Sequence, residues 1–68
     1  MHDIQKLKKV GINKLIENNI EDAIFKAELL LEYTLKMSKT EIIINSEEEV
    51  PNDLEQKYIF YIEEVISR

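Results

Sequence analysis

Residues 26–45, KAELLLEYTLKMSKTEIIIN, hold two apolar runs separated by Lys-Met-Ser-Lys, and the reading of this stretch decides the fold. The first run belongs to a helix. Ala23, Ile24, Ala27, Leu30, Leu31, Thr34 and Leu35 recur at helical spacing and form its main stripe, with Phe25 and Leu29 well off it. A helix that is apolar on more than one side is normally surrounded by neighbours, which places this one at the centre of the domain. Asn-Asn-Ile-Glu-Asp (18–22) supplies its start, with Asn19 as the cap and Glu21 and Asp22 in the first turn, and the helix is expected to reach about Lys36. In the second run, Ser38-Lys39-Thr40-Glu41 has the form of a capping box opening a short segment from Thr40 to about Asn45. Ile42, Ile43 and Ile44 carry strand propensity, so a strand competes for this segment. The capping box and the helical neighbours favour a short helix.

Outward from this stretch, helical spacing continues in both directions. Over residues 3–18, Ile4, Leu7, Gly11, Ile12, Leu15 and Ile16 share one face, with Lys6, Lys9, Asn13 and Glu17 opposite. Gly11 on the apolar face costs about 1 kcal/mol relative to Ala. Close approach of another helix would compensate; a simply tolerated Gly is the plainer alternative. Residues 46–50 read as an acidic linker or a single turn. Pro51 then breaks the chain, Asn52 can cap, and Asp53 and Glu55 suit a first turn. Leu54, Tyr58, Ile59, Tyr61, Ile62, Val65 and Ile66 share the apolar face of the last helix, while Phe60 points into its polar side. That helix runs to Arg68 with no stop signal, so the natural chain is expected to continue. The expected fold is all-α: a small bundle of four to five helices with the second helix central.

Composition narrows the function. The chain of 68 residues has no Cys, so it offers no disulfide and no thiolate site. Its single His, His2, sits at a terminus expected to fray, and no Cys or His spacing resembles a zinc site. Gly11 stands alone, so there is no phosphate-cradling loop. Ser38, Ser46 and Ser67 lack His-Asp partners, and the Glu47-Glu48-Glu49 run reads as solvated surface rather than a tuned acid/base pair. No catalytic, cofactor or metal site can be assembled from these residues. A net charge of −5 argues against direct nucleic-acid binding. No apolar run reaches the roughly 20 residues that span a bilayer, and MHDIQKLKK lacks the apolar core of a secretory signal.

The charge is uneven. Residues 1–18 carry Lys6, Lys8, Lys9 and Lys14 against Asp3 and Glu17, whereas residues 37–52 carry Lys39 against Glu41, Glu47, Glu48 and Glu49. An acidic patch can favour a basic protein partner. Glu47, Glu48, Glu49 and the isolated aromatic Phe60 are therefore the candidate partner-binding residues, with solvated loop and ordinary exposed aromatic as the plain alternatives.

The order of segments resembles the N-terminal domain of the HemK/PrmC family, the release-factor glutamine methyltransferases of bacteria. The signature stands here as Lys26-Ala27-Glu28-Leu29-Leu30-Leu31 followed by Leu35. Ser38-Lys39 and Glu41-Ile42-Ile43 match the short third segment, Val50-Pro51-Asn52-Asp53-Leu54 resembles the entry to the last helix, and Ile62-Glu63-Glu64-Val65-Ile66-Ser67-Arg68 resembles its end. Two positions depart: Lys26 replaces an Asp, and Lys36 replaces a frequent Gly, which weakens the expected helix stop. The resemblance implies that residues 1–68 are a helical substrate-recognition domain that helps position a peptide chain release factor. The glutamine of that factor's Gly-Gly-Gln loop is then methylated on its side-chain nitrogen, in the cytoplasm. It also implies a larger C-terminal domain of Rossmann type as a second partner. The S-adenosylmethionine loop and the Asn-Pro-Pro-Tyr motif lie in that domain, and neither carries over to any position here. The alternative is a free-standing helical interaction module with no enzyme attached.

Overall fold

A computed structural model describes residues 2–67, so the expectation of helix at Arg68 lies outside the described residues. Four helices follow in order: α1 (Ile4–Glu17), α2 (Ala23–Leu35), α3 (Lys39–Ile44) and α4 (Asn52–Ile66). Helices α1, α2 and α4 pack against one another, and α3 packs on α2. The fold is thus the expected small all-α bundle, and α2 touches each of the other three helices. Its radius of gyration, 11.0 Å, is that of a closed globule of this length.

The centre of the bundle is a three-helix junction. Tyr58 of α4 is fully buried, and its hydroxyl donates to the carbonyl oxygen of Ala27 on α2 at 3.0 Å. The same ring lies over Gly11 of α1: a Cβ built there would meet the Tyr58 hydroxyl, with Cε2 and Cζ each 2.9 Å away. Close approach is therefore the reason for Gly11. Leu7, Leu15, Leu31 and Ile62 complete the fully buried layer around this contact. Burial raises the Tyr58 pKa, which keeps the hydroxyl protonated and able to donate.

Local chemistry differs from expectation at both ends of α2. Asn19 does not cap it. With φ of 58°, Asn19 instead closes α1 in a Schellman motif, where the Ile20 and Asn19 amides donate to the Leu15 and Ile16 carbonyls at 3.0 Å each. Asn tolerates this left-handed conformation better than most residues, and that use outcompetes capping. Helix α2 then starts after Asp22, itself at φ 54° with no side-chain cap, so neither Glu21 nor Asp22 lies in its first turn. At the other end Lys36, at φ 56°, takes the left-handed position that Gly favours, and the Met37 amide donates to the Glu32 carbonyl. The helix stops where expected despite the missing Gly.

The capping box forms in full. Ser38 Oγ accepts from the Glu41 amide at 3.2 Å, and Glu41 Oε1 accepts from the Ser38 amide at 2.9 Å. It settles the isoleucine segment as helix rather than strand. Asn52 is not a cap: Pro51 occupies that position without a side-chain bond, and Asn52 is the first helical residue.

Two substitutions test this account. Gly11→Ala gains about 1 kcal/mol of helix propensity, but overpacking a buried ring costs about 1–3 kcal/mol. Because the Tyr58 ring is enclosed and pinned by its hydroxyl, net destabilisation is expected in urea denaturation. The loss should shrink in a Tyr58→Phe background, which removes the nearest clashing atom. Lys36→Gly relieves left-handed backbone strain and should raise stability by about 0.5–1 kcal/mol in the same assay.

Candidate functional site

The acidic run lies in a segment that is held rather than loose. The Ile4 amide donates to the Glu48 carbonyl at 3.0 Å, and the Gln5 amide donates to the Ser46 carbonyl at 2.9 Å. Asp3 and Glu49 form an antiparallel bridge, and the Val50 amide donates to the His2 carbonyl at 3.1 Å. Asp3 Oδ1 accepts from the Lys6 amide at 2.8 Å. Together these satisfy the amides of the first turn of α1, which no helix can satisfy from within itself. Val50 is buried and anchors the segment, while the Glu47, Glu48 and Glu49 side chains are exposed. Three carboxylates are thus displayed on a fixed backbone at the positive end of α1.

His2 is correspondingly not frayed. Its amide donates to Glu55 Oε1 at 3.2 Å, and its Nδ1 lies 3.1 Å from the same oxygen. The His2 hydrogen bond holds the Glu55 carboxyl below its ordinary value of 4.5. Sequence periodicity gives no hint of this contact, because its partners are 53 residues apart.

Phe60 is 56% exposed, as its place on the polar side of α4 requires. It packs against Tyr61, at 6.0 Å between ring centroids, and lines a shallow groove with Glu63, Glu64 and Ser67. The acidic run sits instead at the entry to α4, beside the start of α1. The structure therefore does not bring Phe60 and Glu47–Glu49 into one site.

Glu28, within the identifying Ala-Glu-Leu-Leu-Leu stretch, spans three helices: one carboxylate oxygen lies 3.8 Å from Lys8 Nζ of α1, the other 3.8 Å from Lys39 Nζ of α3. Partly exposed pairs of this length are worth at most about 1 kcal/mol each, so they orient the helices more than they stabilise them. Thr34, which is buried, donates its hydroxyl to the Leu30 carbonyl at 2.7 Å.

The off-stripe residues of α2 overturn one expectation. Phe25, Leu29 and Tyr33 are 64%, 52% and 69% exposed, so the apolar far side of this helix is open rather than surrounded. The stripe facing the core is Ala23, Ala27, Leu31 and Thr34. Ile24, assigned to the buried stripe, is also exposed, lying about 100° around the helix from the buried Ala23.

The described residues contain no group of three or more His, Cys, Asp or Glu able to hold a metal. Among the described residues no helix is long and apolar enough to cross a membrane. S-adenosylmethionine does not fit these residues either: the single Gly lies mid-helix under the Tyr58 ring, leaving no glycine-rich cradle.

Fold and surface together define an all-α domain with a closed core and exposed carboxylate and apolar faces. The family model for the PrmC N-terminal domain matches residues 6–68, and the chain belongs to that family. No curated protein and no solved structure matches it significantly.

The His2–Glu55 contact makes a pH prediction. Because Glu55 is held below its ordinary value, the unfolded chain takes up this proton first as pH falls. The stabilisation is complete above about pH 4.5 and is lost as pH drops through the lowered value. Glu55→Gln should therefore lower the urea midpoint at pH 7, and the gap from the parent should narrow as pH falls below 4.5. A gap that stays the same size as the pH is lowered below 4.5 would contradict this.

Proposed function

We propose that residues 1–68 form the substrate-recognition domain of a peptide chain release factor N5-glutamine methyltransferase. In this reading the domain acts in the cytoplasm and helps bind and position the release factor whose Gly-Gly-Gln glutamine receives the methyl group. Catalysis and S-adenosylmethionine binding belong to a C-terminal methyltransferase domain. The observation that carries the reading is the family match over residues 6–68, nearly the whole chain.

The surface chemistry supports it. A release factor enters an RNA-rich environment, so a basic surface on that partner would complement an acidic one here. Glu47, Glu48 and Glu49 are exposed side chains on a backbone fixed by hydrogen bonds, so ordering them on contact costs less than ordering a loose loop. Phe60 offers a separate aromatic contact midway along α4. Neither position is needed to build the core.

Titration calorimetry of the chain against a release factor tests the reading. Binding should be detectable and should weaken as ionic strength rises from low to moderate salt. Replacing Glu47, Glu48 and Glu49 together by Gln should weaken binding and flatten the salt dependence, while Phe60→Ala should weaken it without changing that slope. Absence of binding would leave the free-standing interaction module as the better description. Binding indifferent to salt would remove the acidic run from the interface.

A further inference from the structure

We infer that residues 2–5 form a latch on residues 46–50, closed by the His2–Glu55 contact, which opens without unfolding the core and sets the geometry of the acidic run. Both backbone groups of His2 are engaged. Its carbonyl accepts from the Val50 amide at 3.1 Å, and its amide donates to Glu55 Oε1 at 3.2 Å. The same oxygen lies 3.1 Å from His2 Nδ1, so one carboxylate holds one residue at two points. From His2 the chain runs antiparallel to the acidic segment, through the Asp3–Glu49 bridge and the bonds of Ile4 to Glu48 and of Gln5 to Ser46.

Among the described residues, two features join distant parts of the chain by hydrogen bonds: this latch and the Tyr58–Ala27 contact. They lie at different depths. Tyr58 and Ala27 are fully enclosed, whereas only Ile4 and Val50 of the latch are buried. A segment with few buried apolar contacts and hydrogen bonds that water can reach opens at a lower free energy than the core. The amides it releases find water, so opening strands no unpaired group in the interior.

Glu55 closes the latch because of its place on α4. It lies in the first turn, where the positive end of the helix favours a carboxylate, and its side chain is only 15% exposed. A hydrogen bond to an ionised acceptor is stronger than one between neutral groups, and here two nitrogens of His2 approach the same oxygen. Val50 and Glu55 thus fix His2 from either side. His2 and Asp3 in turn fix the backbone that carries Glu47, Glu48 and Glu49. The latch does not depend on what that run binds.

Amide hydrogen exchange of the 68-residue chain in a series of low urea concentrations tests the inference. The Ile4, Gln5 and Val50 amides should exchange faster than those of Leu31 and Ile62. Their urea dependence should also be shallower, because the latch exposes little surface when it opens. Glu55→Ala removes the acceptor of both His2 contacts. It should speed the latch amides about tenfold, while Leu31 and Ile62 rise by no more than that factor. NMR order parameters at Glu47, Glu48 and Glu49 should drop from about 0.85 towards about 0.6. Glu55→Gln keeps an acceptor oxygen and should fall between Glu55→Ala and the parent. His2→Ala keeps the backbone bond and should likewise be intermediate, and adding it to Glu55→Ala should change nothing further. Latch amides that share the rate and urea slope of Leu31 and Ile62 overturn the inference in the parent chain alone. So does a Glu55→Ala chain whose latch exchange, or whose order at 47–49, equals the parent's.

Discussion

Everything in this bundle is arranged around one large side chain that two small residues make room for. The Tyr58 ring occupies the junction of α1, α2 and α4 because Gly11 has no Cβ and Ala27 has only one carbon beyond its backbone. The Tyr58 hydroxyl then uses the second lone pair of the Ala27 carbonyl, so a polar atom is buried without being left unpaired. For a chain that buries only about 60% of its unfolded surface, a contact joining three helices at one point matters more than in a larger core. The fully buried Leu7, Leu15, Leu31 and Ile62 surround it.

A second constraint organises the ends. Short helices expose many unpaired amides and carbonyls relative to their length, and this chain answers each terminus differently. The segment 46–50 covers the start of α1, Asn19 closes it, Lys36 closes α2, and Ser38 with Glu41 opens α3. The acidic run is consequently both structural and exposed: its backbone completes α1 while its side chains remain available. Function can be carried on such a segment because its shape does not depend on a partner.

The helix whose signature identifies the family has two faces with different roles. Its inner face supplies Ala27 and Leu31 to the core, and Glu28 reaches towards α1 and α3 from its flank. Its outer face carries Phe25, Leu29 and Tyr33, an exposed apolar line of the kind that marks contact surfaces. Within one helix, fold identity and surface chemistry are separated by half a turn.

Periodicity was enough to establish an all-α bundle of four to five helices and most of the buried stripe, and the capping-box pattern decided α3 as helix. These features depend on neighbours within four residues, which a linear reading sees directly. The PrmC resemblance could likewise be read from the order of segments. Only the tertiary structure decided which apolar face of α2 is covered, because two stripes on one helix look alike until the other helices take their places. The same holds for the anchoring of His2 by Glu55, and for the joining of residues 46–50 to α1. At Gly11 the sequence left two explanations open, and the Tyr58 ring chose between them. Asn19 shows the limit most plainly: a residue equally suited to starting one helix and ending another is assigned by the geometry of the turn, not by its own chemistry.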